Sequence, residues 1–317
     1  MPRLSHTAAK AVRGAKPGGA TNVGMAIERC ARALRKARVY FGHGTANARD
    51  EAAELVFFAA GLAHSKGAGA YPRVLTRRQT VRIDALLRRR IDERIPLPYL
   101  THRAFFAGLE LYVDERVLVP RSPIAELALN RFEPWIGHAR VRRILDIGTG
   151  SGAIALACAA AFPRARVDAA DVSGAALQVC RRNIRRLAMS GRVHALQSDY
   201  FSRVPSRRYD IIVSNPPYVG RAEMRTLPPE YRHEPRLGLA SGADGLDSVR
   251  SILAGARPYL EDEGILVVEV GNTEKELLRS FPRLPFVWPR IAMGGEGVFL
   301  LRARDLHALP GESKRGG

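Results

Sequence analysis

The chain has little cysteine. Its three residues, Cys30, Cys158 and Cys180, are odd in number and form no C-x-x-C pair. That pattern excludes a disulfide framework and a thiolate metal site, and it suits a reducing, cytoplasmic setting. Long apolar runs are lacking too. No stretch approaches the roughly 20 residues that span a bilayer, so no membrane role is expected. Lysine is scarce, with 6 residues against 44 arginines, and acids are too few to balance them, leaving a formal net charge of +19. Such a surplus favours a polyanionic neighbourhood such as the ribosome and its RNA. The Arg and Ala excess is also what a GC-rich coding bias produces. No basic block is interleaved with aromatics; "RRR" at 88–90 and "RRNIRR" at 181–186 read as solvated helix faces. No internal repeat is visible.

What is present is a globular composition, 46% hydrophobic over 317 residues, enough for one large or two modest domains. Residues 1–24 read as a disordered basic tail, transit-peptide-like in composition only, and 308–317 as a flexible one. From 25 to 95 the apolar spacing is helical, with Val81, Ile83, Leu86, Leu87 and Ile91 along one stripe. His43, in "FGHGT", reads as a hydrogen-bonded turn histidine and not as a catalytic one. Residues 96–120 alternate around Gly108 and Asp114-Glu115, which predicts a β-hairpin linking two domains.

From 121 to 307 strands alternate with helices. Strands are expected at Arg143–Ile147, Arg166–Asp171, Val193–Gln197, Tyr209–Ser214 and Ile265–Val270, then a hairpin of Phe286–Ile291 and Gly297–Leu301. Helical stretches at Ala153–Ala161 and Ala175–Ala188 imply a doubly wound, mostly parallel α/β sheet of seven strands with one antiparallel member.

"ILDIGTGSGAIALA" is a strand, a glycine turn and a helix. Gly148, Gly150 and Gly152 let the backbone turn sharply and approach a ligand, and Asp171 ends the next strand, placed for ribose hydroxyls. The loop does not by itself separate a nicotinamide dinucleotide from S-adenosylmethionine. Asp146 beside the glycines is placed either to help hold a cationic ligand or to orient the loop, and the first role favours a sulfonium amino acid over a pyrophosphate. Asp199 can accept from an adenine amino group and Tyr200 can stack on the ring.

The stretch "YDIIVSNPPYVG" begins as a buried strand and ends at an amide, two rigid rings and a phenol. A planar nitrogen is a poor nucleophile because its lone pair is delocalised. A site that methylates it must hold both N–H bonds and aim the nitrogen. The Asn215 side-chain oxygen and the Pro216 carbonyl are two acceptors at one spacing, fixed by Pro216 and Pro217, with Tyr218 free to cover the planar group.

An (N/D)PP(Y/F/W) motif after the fourth strand, with a GxGxG loop after the first, resembles class I amino-methyltransferases. "ERIPLPYLTHRAFFAGLELYVDERVLVPRSPIAEL" (93–127) and "NPPYVGRAEMRTLPPEYRHEPRLGLASGADGLD" (215–247) are similar to the HemK/PrmB family of protein glutamine methyltransferases. "FGHGTANARDEA" and "PRSPIAEL" are similar to the branch that acts on the third protein of the large ribosomal subunit. The release-factor branch usually has "PRPxTE" where Pro120-Arg121-Ser122-Pro123 stands. Members of the ribosomal branch often carry Cys where this chain has Gly148. The resemblance covers about residues 25–307. It implies methyl transfer from S-adenosylmethionine to the side-chain amide nitrogen of a glutamine, with the helical segment recognising the protein. It implies that Gly148, Gly150, Gly152, Asp171, Asp199 and Tyr200 hold the cofactor. Asn215 through Tyr218 would hold the glutamine, with Asn215 bordering both ligands. Arg121, His233 and Glu234 stay outside the catalytic set. The competing readings are a release-factor enzyme, a DNA or RNA amino-methyltransferase, and a ribosome-assembly protein with a relic site. Intact Asn215 and glycines speak against the last.

Overall fold

A computed structural model describes residues 21–292 and 294–308. The tails expected at 1–24 and 308–317 lie outside the described residues up to 20 and beyond 308. Residues 21–24 are not tail: Asn22 caps the first helix, its side-chain oxygen accepting from the Met25 N–H at 2.8 Å.

Helices α1 (Val23–Lys36), α2 (Ala48–Ala60), α3 (Arg77–Asp92) and α4 (Leu97–Thr101) pack around one apolar cluster that includes Ile27, Leu34, Leu55 and Ile83. Thr76 starts α3 through a reciprocal capping box with Gln79. The buried stripe of α3 differs from the expected one. Val81 is exposed, and the stripe runs Ile83, Leu87, Arg90 at spacings of four and three. Arg90 is therefore no solvated residue. Its guanidinium is fully buried and donates to Glu51 at 2.6 Å, to Glu230 at 3.2 Å and to the Tyr40 carbonyl at 2.7 Å. Two carboxylates and a carbonyl replace the water that would otherwise draw it outward.

Strands β1 (Ala104–Phe106) and β2 (Leu109–Leu111) form an antiparallel hairpin turning at Ala107-Gly108. The main sheet contains β3 (Arg143–Ile147), β4 (Arg166–Asp171), β5 (Val193–Gln197), β6 (Tyr209–Ser214), β7 (Leu260–Glu269) and β8 (Val298–Arg302). Their order is β5-β4-β3-β6-β7-β8, parallel except for β8. Among the described residues the sheet has six strands and not seven. Of Phe286–Ile291, Val287 alone pairs, exchanging two backbone bonds with Leu300. Pro285 and Pro289 flank it and supply no N–H to extend a ladder.

Helices α5 (Ile124–Leu129) and α6 (Ala153–Ala161) cover one face against Ile144, Val167, Ile211 and Val213. Helix α8 (Asp247–Ala256) covers the other face with α9 (Glu274–Ser280), against Leu145, Ile212 and Leu266. The first cluster also includes Ala176 and Val179 of α7 (Gly174–Arg186), which seats the N-terminal helices on the α/β layer. Strand order reverses between β3 and β6, so a crevice opens at their carboxyl ends. Among the described residues no helix is long and apolar enough to cross a membrane.

Candidate active site

A cavity of about 480 Å³ occupies that crevice. The glycine loop after β3 forms one wall and the Asn215-to-Tyr218 turn after β6 the other. Asp171, Asp199 and Tyr200 lie between them.

Gly148, Gly150 and Gly152 take φ values of +70°, +55° and +84°. A Cβ on Gly152 would stand 2.8 Å from the Cys180 sulfur, so packing as well as conformation requires glycine there. A Cβ on Gly150 would meet nothing within 4 Å, which leaves its backbone open to the cavity. Asp171 orders the loop from the end of β4. One carboxylate oxygen accepts from the Gly150 N–H at 2.8 Å and the other from the Ser173 N–H at 2.8 Å.

Of the two roles expected of Asp146, its position suits orienting the loop and not holding a ligand. It is fully buried behind the loop and does not line the cavity. Its Oδ2 accepts from the Thr149 hydroxyl at 2.6 Å and the Ala155 N–H at 3.0 Å, tying the loop to the start of α6, while Oδ1 finds no partner. Burial pushes its carboxyl up to about 7.

Across the crevice, the Ser214 hydroxyl donates to the Ile147 carbonyl at 2.7 Å, locking the end of β6 to the end of β3. Asn215 follows, half-buried and lining the cavity, and its side chain makes no hydrogen bond with any described residue. The chain beyond is pinned by Val219, whose N–H donates to the Leu239 carbonyl at 2.8 Å. The Tyr218 ring packs on Gly271, where an added Cβ would sit 2.5 Å from it, and its hydroxyl donates to Glu269 at 3.0 Å.

Glu269 was not anticipated from sequence, although an acid closing the apolar run of β7 at the crevice end is a readable signal. It also accepts from the Ser122 hydroxyl. Burial lifts its carboxyl from 4.5 to about 7, against the pull of the Ser122 and Tyr218 hydroxyls and of Arg121. A raised folded value means that this stabilisation is complete below 4.5 and is lost as pH rises through about 7. Asp146 titrates in the same window. Glu269→Gln mimics the protonated form and is expected to flatten, without abolishing, the fall in urea midpoint across that interval. An unchanged pH profile would refute the assignment.

The loop after the Asn215-to-Tyr218 turn is held from two sides. Glu234 accepts both Arg121 N–H groups, at 2.5 and 2.6 Å, and the Val119 N–H at 3.1 Å. Burial raises its carboxyl, but the Arg121 bonds and nearby His43 hold it down at about 2. Arg121 and Tyr231 line the cavity, the guanidinium lying 5.3 Å over the ring. His233 is turned away, its Nε2 lying 2.9 Å from the Glu93 carbonyl. His43 is buried against Tyr40 and Tyr231, with Nε2 3.7 Å from Glu234 and no hydrogen-bond partner, contrary to the bonded turn expected of it. On the far side, Glu230 reaches Arg90 and the Tyr40 N–H.

The family model of the methyltransferase small domain matches residues 126–227. A curated relative from Francisella tularensis, a ribosomal protein uL3 glutamine methyltransferase, is 44% identical over 84% of this chain and 86% of its own. One of the same description from Xanthomonas campestris is 45% identical over 87% and 89%. A sheet that reverses between a glycine loop and an Asn-Pro-Pro-Tyr turn accords with that likeness, and with such identity across both the N-terminal helices and the α/β layer, this chain belongs to the ribosomal protein uL3 glutamine methyltransferase family.

Proposed function

We propose that this protein uses the cavity to transfer a methyl group from S-adenosylmethionine to the side-chain amide nitrogen of a glutamine in ribosomal protein uL3. The observation that carries the proposal is the Asn215 amide, without a partner among the described residues and lining the same cavity as the glycine loop, at the end of a strand locked to β3 through Ser214.

The cavity fits the cofactor. Its volume is in the ligand-pocket range, the Gly150 backbone is open, and Asp171 stands at the strand end where a ribose diol would lie. Gly148, Gly150, Asp171, Asp199 and Tyr200 would hold it, with Asp146 and Gly152 shaping the loop from behind. When bound, it supplies an electrophilic methyl group. The chain does the rest. The Asn215 side-chain oxygen and the Pro216 carbonyl accept the two N–H bonds of the glutamine amide, which turns the nitrogen toward the methyl. As the nitrogen–methyl bond forms, the methyl–sulfur bond would break to leave a thioether, and one of those protons would pass by way of its acceptor to solvent. Pro217 fixes the spacing. Tyr218, held by Glu269, covers the amide and excludes water. No metal ligand enters this scheme.

The N-terminal helices would recognise uL3, and with a ribosomal substrate the reaction would take place in the cytoplasm near ribosomal RNA, a reading that the charge of +19 supports. Calorimetry is expected to show binding of S-adenosylhomocysteine and none of NAD; the reverse would reject the cofactor assignment. With labelled cofactor, uL3 should be methylated in preference to a release factor, and labelling of nucleic acid alone would overturn the class.

A further inference from the structure

No single sequence segment interleaves arginines with aromatics, but the fold builds such a surface from four of them. Arg82 of α3 lies over the Phe58 ring of α2, 4.7 Å from guanidinium carbon to centroid. Arg103 lies over Phe58 at 5.8 Å and over Phe105 of β1 at 5.4 Å. Across the hairpin, Arg182 of α7 sits 3.4 Å over Tyr112, which in turn stacks on His102 at 5.4 Å and 20°. Glu110 joins the halves, accepting from Arg103 at 2.9 Å and Arg186 at 3.1 Å.

A solvated helix face would explain exposed arginines. It does not explain why their planes lie on rings, or why Phe105 stays 47% exposed among them. Charge points the same way. Among the described residues, Arg82, Arg181, Arg182 and Arg185 have no carboxylate within ion-pair reach, while Glu54 is taken by His64 at 3.0 Å.

The surface is rigid and adjoins the cavity. Buried Asn183 accepts from the Tyr112 N–H at 2.7 Å and donates to both the Tyr112 and Ser151 carbonyls at 2.9 Å. It thereby ties the stacked ring to the glycine loop. Arg116, which lines the cavity, donates to Gln178 at 2.8 Å, one turn before Arg182 on α7.

We propose that this face binds single-stranded RNA, a ribosomal RNA segment lying beside the protein whose glutamine is methylated. The proposal rests on the ribosomal-protein reading above. Flat rings and guanidinium planes take unstacked bases, which a duplex keeps hidden, while the unpaired arginines take phosphates.

Fluorescence anisotropy of the full chain with a labelled oligouridylate about 12 nucleotides long, between about 50 and about 200 mM salt, tests it. Binding is expected to fall linearly in log–log form. Tyr112→Ala should weaken it about tenfold. The double variant Arg181→Gln/Arg185→Gln, both at exposed sites without a carboxylate partner, should lower the salt slope by about 1.4. No wild-type binding, variants that bind like wild type, or equal affinity for duplex RNA would overturn the proposal. So would competition by polyglutamate as effective as by unlabelled RNA, which would mark an acidic-protein surface instead. Methyl transfer to isolated uL3 by the same variants is expected to be unchanged. Its absence in wild type would reject the substrate reading while leaving the RNA result standing.

Discussion

Replacing Asn215 by alanine is expected to lower kcat by about 10²–10³ with little change in cofactor affinity. The proposed clamp has two acceptors, and the variant removes one. The amide of the substrate is then neither aimed nor polarised, and nothing nearby takes over, because the Asn215 side chain has no partner among the described residues that could swing in. Loss of one preorganised group in an oxyanion hole costs that much, and the geometry here is of the same kind. Asn215→Asp keeps an oxygen of similar reach but puts a charge beside a desolvated amide, so intermediate activity is expected. Asn215→Leu fills the volume without an acceptor and should be no better than alanine. Single-turnover rates alongside cofactor dissociation constants read out the order. Near-wild-type turnover by the alanine variant would make Asn215 a structural residue.

The largest stability effect is expected at Arg90. Arg90→Leu leaves Glu51 and Glu230 buried without their shared cation, and breaking a buried pair in that way costs about 3–5 kcal/mol. Thr45 still donates to Glu51 at 3.1 Å and the Tyr40 N–H to Glu230 at 3.0 Å, and Arg94 stays 3.5 Å from Glu230, so the loss of charge falls mainly on Glu51. The unfolding midpoint in urea should fall accordingly. Because Glu230 belongs to the loop that lines the cavity beyond the clamp, kcat/KM should fall with it. A loss below about 1 kcal/mol would mean that water already reaches these carboxylates.

Much of the catalytic layer was legible because strands alternate with helical stretches along the chain, and β6 is the β-branched run of a strand covered on both faces. β3, β4, β5 and β6 begin and end where they were expected. The crevice followed from the topology those strands imply. The missing seventh strand shows the limit of composition: Phe286 to Trp288 is apolar enough for a ladder, but the prolines on either side decide otherwise. Arg90 shows a different limit. Its neighbours in sequence are arginines, and the acids that permit its burial are 39 and 140 residues away. Asp146 looked like a ligand residue from its place beside the glycines, yet side chains alternate along a strand, and this one points under the loop to Thr149 and Ala155. Glu269 and the arginine–aromatic surface escaped notice because each is assembled from segments that only the fold brings together.

The double grip on the 228–235 loop also has a consequence in time. Arg90 leaves the translating ribosome 140 residues ahead of Glu230. At about 5–20 residues per second, that interval is about 7–28 seconds. Throughout it the guanidinium has Glu51 but not its second carboxylate, and Arg121 likewise waits for Glu234. The emerging N-terminal helices thus carry an unfilled polar socket whose plug is synthesised late. The helices made first therefore cannot complete their seat against this wall of the crevice until residue 234 has been synthesised.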